Sequence, residues 1–315
     1  MKTVVYKVRV NRPCYLFIDD VQLDVLDECS LREFVLPPGE YLRKVVSIDT
    51  RCVAQEDVIF LSGDSVVDNI VLDITGLNAA KMRAFPYKEM ELNGLEFGKA
   101  LSDDGVCVCD CTDEEMTEVV IPDQIRWGHY LYDVVEISSF AFRGKDNLRE
   151  VVIPNTVRSI GEVAFEDCTQ LVSLHIPTSV LEIGEYAFAK CKNLSSLIIP
   201  SSVKVIGEYA FDSCKKIKFL TIEEGVTIVG DGVFCDCEEL LSVEIPTSLE
   251  KISSYMFGGC KSLSSVAIPD SVYEVGNFAF EDCSSLRVID IPDSVDTIGR
   301  DAFPSNTKVK RVENV

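Results

Sequence analysis

The sequence contains few of the residues that most often carry chemistry in enzymes. Among 315 residues there are only two histidines, His129 and His175, and one tryptophan. No phosphate-binding loop and no G-x-G-x-x-G fingerprint occurs. No serine or cysteine can be paired with a general base by motif. We therefore expect a protein that is not an enzyme and that uses no cofactor and no metal.

Positive charge is also scarce. The chain has 30 Lys and Arg against 52 Asp and Glu, which gives a formal net charge of −22. Such a surface repels phosphate backbones and anionic lipid headgroups, so we expect no nucleic-acid partner. Apolar runs of about 18 residues are absent, and we therefore expect no membrane insertion.

The first residues, MKTVVYKVRVNRP, lack the apolar core of a secretion signal. We expect a cytoplasmic protein if Met1 is the natural start. We expect a secreted or cell-surface protein if a signal peptide was trimmed.

What the sequence does contain is a repeat. The stretch from Val134 to Phe303 returns to the pattern IPxxVxxIGxxAFxxCxxLxxL with a period of 23 residues. Its marker positions are Phe142, Phe165, Phe188, Phe211, Phe234, Phe257, Phe280 and Phe303; Pro154, Pro177, Pro200, Pro246, Pro269 and Pro292; and Cys168, Cys191, Cys214, Cys237, Cys260 and Cys283. A fixed period of this length indicates a solenoid, in which one copy cannot bury its apolar face alone and stacking completes the core.

One copy serves to predict the local structure. In residues 171–177, LVSLHIP, the alternation predicts a strand that ends at proline, with Ser173 and His175 pointing outward. A second short extended piece leads to a bend at Gly184. Residues 185–191, EYAFAKC, have apolar positions spaced as in a short helical turn.

This pattern resembles the BspA-like (Treponema-type) leucine-rich repeat, whose consensus is LxxLxLPxxLxxIGxxAFxxCxxL. The resemblance spans residues 134–312. It implies a curved solenoid with a parallel sheet on its concave face and a role in adhesion or protein interaction. Two copies depart from the pattern, one with Glu223 for proline and Val233 for alanine, the other with Ser253 for glycine and Met256 for alanine. We expect local adjustment at these positions.

The region before the repeats reads differently. Residues 1–75 show short alternating stretches separated by turn signals, which predicts a small β-sandwich. The run RPCYLFIDD, followed by LPPGEY, resembles PEGA-type domains. We interpret residues 76–89 as a linker and residues 90–315 as the solenoid, with an atypical N-terminal cap over 90–133. The predicted fold class is mainly β with short helical turns, a leucine-rich repeat solenoid preceded by a β-sandwich.

Two groups of cysteines invite a chemical interpretation. The six repeat cysteines would stack near disulfide distance, but buried cysteines behave as small hydrophobes, and we expect inert thiols. Cys107, Cys109 and Cys111 are expected on one face of a strand. Zinc would require a second cysteine pair, and the nearest other cysteines are Cys52 and Cys168. We therefore expect all thirteen cysteines to be free thiols.

The candidate binding residues come from the outward positions of the predicted sheet. Small side chains dominate these positions, and Phe219 is the only aromatic residue among them. The predicted partner-binding residues on the concave face are His175, Ser196, Ile198, Phe219, Thr221, Ser242 and Glu244. The alternative is that Phe219 covers an irregular copy, since Glu223 replaces proline four residues later.

A second aromatic row precedes the repeat phenylalanines by two positions. Its members are Phe140, Tyr186, Tyr209, Tyr255 and Phe278. We expect them to pack between turns on the convex side.

The sequence leaves two functional hypotheses open. The first is a non-catalytic scaffold that mediates protein–protein interaction or adhesion through the repeats, with a protein as the partner. The second is a glycan-binding or cell-envelope-associated protein, which the PEGA-like resemblance suggests. Glycan sites generally use aromatic platforms, and the predicted sheet offers only Phe219.

The charge balance generates the first prediction. Neither DNA nor RNA should bind at physiological salt, because the net charge is −22 and no basic stripe exists. Fluorescence anisotropy with labelled duplex and single-stranded oligonucleotides checks this expectation. A micromolar affinity that weakens as salt rises would contradict it.

Overall fold

The computed structural model describes residues 4–10, 14–18, 21–26, 31–36, 39–47, 53–61, 65–70, 90–101, 105–127 and 130–312. These residues divide into two compact units. One lies within residues 1–86 and 124–132, and the other within residues 87–123 and 133–315. The predicted linker at 76–89 lies outside the described residues.

The N-terminal unit contains two sheets. Its strands are β1 Val4–Val10, β2 Cys14–Ile18, β3 Val21–Leu26, β4 Leu31–Leu36, β5 Gly39–Ser47, β6 Val53–Leu61 and β7 Ser65–Ile70. The strand orders are β4-β1-β7 and β3-β2-β5-β6, and all pairs are antiparallel except β1 with β7. The packing of these sheets as a sandwich, and the domain boundaries, stay predictions.

Further short strands lie between the N-terminal sheets and the regular coils. They are β8 Met90–Leu92, β9 Leu95–Lys99, β10 Val106–Cys111 and β12 Gln124–Trp127. Strand β9 pairs antiparallel with β8 and β10. Strand β10 then pairs in parallel with β13, Tyr130–Ile137.

Each regular coil contributes two short strands. The first strands are β11 Glu118–Val120, β14 Glu150–Val152, β16 Ser173–Leu174, β18 Ser196–Ile199, β20 Phe219–Ile222, β22 Ser242–Glu244, β24 Ser265–Ala267, β26 Val288–Pro292 and β28 Lys308–Val312. The second strands are β13 Tyr130–Ile137, β15 Ser159–Ile160, β17 Glu182–Ile183, β19 Val205–Ile206, β21 Ile228–Val229, β23 Lys251–Ile252, β25 Glu274–Val275 and β27 Thr297–Ile298.

Neighbouring coils pair in parallel at the predicted period, as in Ser196 with Phe219. The predicted parallel arrangement is thus confirmed. The first strands form three ladders, β11-β14-β16, β18-β20-β22-β24 and β26-β28. Strand β16 has only two residues. Between its coil and that of β18, the hydrogen bond from the Ser195 N–H to the Val172 carbonyl is long, at 3.4 Å.

The predicted helical turn over 185–191 is a chain of β-turns, and no residue that the structure describes lies in a helix. Tyr186 and Lys190 adopt left-handed φ values of 52° and 62°. Bonds that close four-residue β-turns, such as Cys191 N–H to the Phe188 carbonyl, alternate with bonds to the next coil, such as Phe188 N–H to the Ala210 carbonyl. The left-handed residues orient every second N–H group along the solenoid axis, toward the next coil. Hydrogen bonds between coils thus replace the i to i−4 bonds of a helix.

The repeat glycine permits close approach between coils. A Cβ at Gly184 would lie 2.6 Å from Glu162 N and from Gly161 C in the preceding coil. Ser253 occupies the same register and donates its hydroxyl to the Gly230 carbonyl at 2.6 Å. The glycine-to-serine departure is therefore accommodated by a hydrogen bond.

The core is a column of stacked phenylalanine rings. Centroid separations run from 4.8 Å for Phe142–Phe165 to 5.7 Å for Phe211–Phe234, and the rings stay within 15° of parallel. The seven rings from Phe142 to Phe280 are fully buried. Together with the inward leucines, isoleucines and valines they form one continuous apolar interior.

Charges of opposite sign alternate between coils. Glu166 accepts hydrogen bonds from Arg143 at 3.0 Å and from Lys190 at 2.8 Å, one on each side. Glu238 likewise lies between Lys215 and Lys261. A stacked repeat would otherwise place like charges in columns, so these alternations reduce repulsion within an acidic chain.

The phenylalanine column generates a stability prediction. Phe211→Ala should lower the free energy of unfolding by about 3–5 kcal/mol, because it opens a cavity between two stacked rings. Phe219→Ala is the matched control, since that ring is 66% exposed and its removal should change stability by less than about 0.5 kcal/mol. Urea denaturation followed by circular dichroism measures both, and equal losses would contradict the assignment.

Candidate binding surface

The predicted site residues occupy the outward positions of three adjacent first strands and one neighbouring coil. Strand β18 supplies Ser196 and Ile198, β20 supplies Phe219 and Thr221, and β22 supplies Ser242 and Glu244. Each of these side chains is exposed, and the residue between the two on each strand is buried. We call this surface the outer strand face.

Phe219 projects from the middle of the outer strand face. Its register partners are Ser196 on one side and Ser242 on the other. Serine side chains are too short to cover an aromatic ring, and 66% of Phe219 remains exposed. The ring is thus held on a regular strand and left open above.

Ile198 adds a second exposed apolar side chain on the adjacent strand. It is the register partner of Thr221, and 57% of its surface is exposed. A shallow depression beside it is lined by Phe219, Thr221, Ser242 and Glu244, among others. The structure therefore brings six of the seven predicted residues onto one continuous surface.

His175 lies on the coil directly before this group, at the position equivalent to Ile198. It follows the end of β16, one coil before Ile198, and its side chain is exposed. It contributes to the same side of the solenoid but not to the depression around Phe219.

The irregular copy around Glu223 has hydrogen bonds of its own. The Glu223 N–H continues the ladder to the Ile199 carbonyl at 2.9 Å. Its carboxylate accepts a hydrogen bond from the Ser201 N–H at 2.9 Å. The replacement for proline therefore has hydrogen-bond partners of its own, and the role of Phe219 stays a prediction.

The second aromatic row packs in pairs between adjacent turns. All five residues have left-handed φ, and four of them stack in two pairs along the axis, Tyr186–Tyr209 at 5.2 Å and Tyr255–Phe278 at 4.8 Å. Gly232 interrupts the row, because the Tyr209 ring occupies the space that a Cβ there would need. Burial, followed by the charge of Glu208, raises the pKa of Tyr186.

The repeat cysteines have a structural role that their hydrophobicity does not indicate. Each thiol donates a hydrogen bond to the carbonyl of a repeat phenylalanine in the preceding coil, as from Cys214 to Phe188 at 3.2 Å. Burial raises the pKa of Cys168 and Cys283 to about 12. It also raises the pKa of the four thiols between them. They are therefore protonated and unreactive at neutral pH.

The expectation that Cys107, Cys109 and Cys111 share one strand face is wrong. The register between β10 and β9 shifts between Val108 and Asp110, so Cys109 is the extra residue of a β-bulge. The Cys107 and Cys109 sulfurs lie 3.3 Å apart. The Cys111 thiol instead contacts the Asp113 carbonyl and the Met116 sulfur.

The sequence did not indicate one further group of possible metal ligands, because Cys235 is not one of the six cysteines that recur every 23 residues. The ligand atoms of Asp212, Cys235 and Asp236 lie within 4.8 Å of one another. Burial, reinforced by the charges of Asp236 and Asp212, raises the pKa of Cys235 to about 12. Clusters of acidic groups are common without a bound ion, and we assign no metal to this group.

No helix in the described part of the chain is long and apolar enough to cross a membrane.

The fold and the exposed strand face define a class of protein, a parallel β-solenoid scaffold built from 23-residue coils. The BspA type leucine-rich repeat region matches residues 135–248 and 227–314, with six copies. The chain therefore belongs to the BspA-type leucine-rich repeat family. Comparison with curated proteins returned no match.

Solved structures support this assignment. A leucine-rich repeat protein of T. pallidum is 32% identical, with a TM-score of 0.58 over 63% of this chain and 91% of that protein. A leucine-rich repeat protein of Bacteroides ovatus is 28% identical, with a TM-score of 0.52 over 70% of this chain and 67% of that protein.

The cysteine geometry generates a reactivity prediction. In freshly reduced native protein the six repeat thiols should resist alkylation, whereas all thirteen cysteines should react in denaturant. Differential alkylation with light and heavy reagents, read by mass spectrometry, measures each site. Native modification of Cys214 at the rate of an exposed thiol would show that the buried hydrogen bond does not form.

Proposed function

We propose that the solenoid is a non-catalytic scaffold that binds a protein partner through the outer strand face, with Phe219 as the central anchor. The exposure of Phe219 between two serines carries this proposal. A rigidly held aromatic side chain costs little conformational entropy to bury. It is the type of residue on which interface energy concentrates.

The surroundings of Phe219 fit a compact interface. Ile198 extends the apolar area on the adjacent strand, and Ser196, Thr221 and Ser242 supply short polar groups around it. An apolar centre with polar groups at its edge is the usual anatomy of a protein–protein interface. The backbone beneath is a fixed ladder, so binding requires little rearrangement.

Charge constrains the partner. Glu244 lies at the margin of the outer strand face, and the chain carries a net charge of −22. A partner surface that is neutral or basic around an apolar pocket would associate faster than an acidic one. Adhesion to a surface protein with those properties is compatible with the same site.

The test begins with capture. Full-length protein is used as bait in extracts, the captured proteins are identified by mass spectrometry, and the most enriched one is purified. Its affinity is then measured for the wild type, Phe219→Ala and Val288→Ala. Val288 is the control because it occupies the equivalent outward position on β26 and is also exposed.

Phe219→Ala should weaken binding by about 30-fold, since loss of an anchor typically costs about 2 kcal/mol. Val288→Ala should stay within about twofold of the wild type. An unchanged affinity for Phe219→Ala, with a melting temperature lowered by several degrees, would make Phe219 structural and overturn the proposal. Glycan-array binding that depends on Phe219, without any captured protein, would favour the glycan hypothesis.

A further inference from the structure

The Cys107–Cys109 pair lies outside the outer strand face and outside the column of repeat cysteines. Their sulfurs are 3.3 Å apart on β10. Cys107 is buried against Ala100 and Val135, and Cys109, which is partly exposed, packs against this small cluster. One thiol of the pair is thus shielded and the other is within reach of a small reagent.

The strands around the pair leave room for both sulfurs. A Cβ at Gly98 on β9 would lie 2.5 Å from the Cys109 sulfur and 3.7 Å from that of Cys107. The β-bulge at Cys109 removes this residue from the regular pairing with β9. The absence of a side chain at Gly98 and the bulge together permit the close approach of the two thiols.

We propose that Cys107 and Cys109 are a redox site that converts reversibly between a dithiol and an intramolecular disulfide by exchange with a low-molecular-weight disulfide. This inference concerns a site separate from the proposed binding surface. It is independent of that function.

The reaction proceeds in two exchanges. The Cys109 thiolate attacks one sulfur of the small disulfide, forms a mixed disulfide and releases the first small thiolate. The Cys107 thiolate then attacks the Cys109 sulfur, forms the Cys107–Cys109 bond and releases the second. Two protein thiols are oxidised, one small disulfide is reduced to two thiols, and the two protons pass to the released thiolates.

The electrostatics of the pair support this chemistry. The hydrogen bond from Cys109 lowers the pKa of Cys107 to about 7, in spite of burial. The pair therefore carries a thiolate near neutral pH, and the proton can pass between the two sulfurs across their contact. The repeat thiols have raised pKa values and should stay outside this reaction.

Backbone geometry makes the disulfide easy to reverse. The link would close across one intervening residue, Val108, so the Cα separation is limited to about 7 Å at most, against the roughly 4.4–6.8 Å found in disulfides. Strained disulfides are more readily reduced than structural ones. The bond would thus respond to the redox state of its surroundings and would not act as a permanent crosslink.

The test uses reduced full-length protein treated with oxidised glutathione at neutral pH. Remaining thiols are blocked with iodoacetamide, and the tryptic peptide of residues 100–126 is analysed. Wild-type peptide should have lost two hydrogen atoms and carry one alkyl group, on Cys111. Excess reduced glutathione should restore three alkylation sites.

Variants locate the linkage. Cys109→Ser should abolish it, whereas Cys111→Ser, the matched control on the same strand, should retain it. If Cys109→Ser does not fold, fragmentation of the oxidised wild-type peptide gives the same information. A stable glutathione adduct on Cys109, three alkylated cysteines after oxidation, or a linkage that requires Cys111 would each overturn the proposal.

Discussion

Backbone hydrogen bonding from each coil to the next is the constraint on which the rest of the structure depends. Three lines of such bonds run along the solenoid, through the first strands, the second strands and the β-turns. They require every coil to place equivalent atoms one above another. Phe188 therefore stacks between Phe165 and Phe211, and the glycine at each bend meets backbone of the preceding coil.

The same constraint explains how much could be predicted from the sequence. Because stacked coils repeat the same positions every 23 residues, three features could be predicted from the repeat. They are the phenylalanine column, the parallel pairing and the outward direction of Phe219. The β-turns could not be predicted, because apolar residues at Ala187, Phe188 and Cys191 fit the inward side of a helical turn and of a turn chain equally well. The left-handed conformation of Tyr186 and Lys190 is what distinguishes a chain of β-turns from a helical turn. Bulky residues rarely adopt this conformation, so the sequence did not indicate it.

The features that escaped prediction lie where a local contact overrides the pattern. Strand alternation assigned Cys107, Cys109 and Cys111 to one face, but the bulge at Cys109 breaks that alternation. The hydrogen bond from the Cys214 thiol to a carbonyl could not be predicted from the hydrophobic pattern. The pattern places the cysteine in the interior whether or not its thiol donates a hydrogen bond. The identity of a partner for Phe219 depends on the partner's surface, which this chain does not encode.

The equal length of the coils has a consequence for how such a chain can change. Removing one whole 23-residue unit between equivalent positions, such as Ser196 and Phe219, would bring every later residue back above its counterpart. Losing a single residue inside a coil would displace the aromatic column, the turns and the outward face together. Between β11 and β14 the extra length is taken up by β12 and β13. Evolution can therefore lengthen or shorten this protein in whole coils, and the longer interval between β11 and β14 carries one added strand, β12.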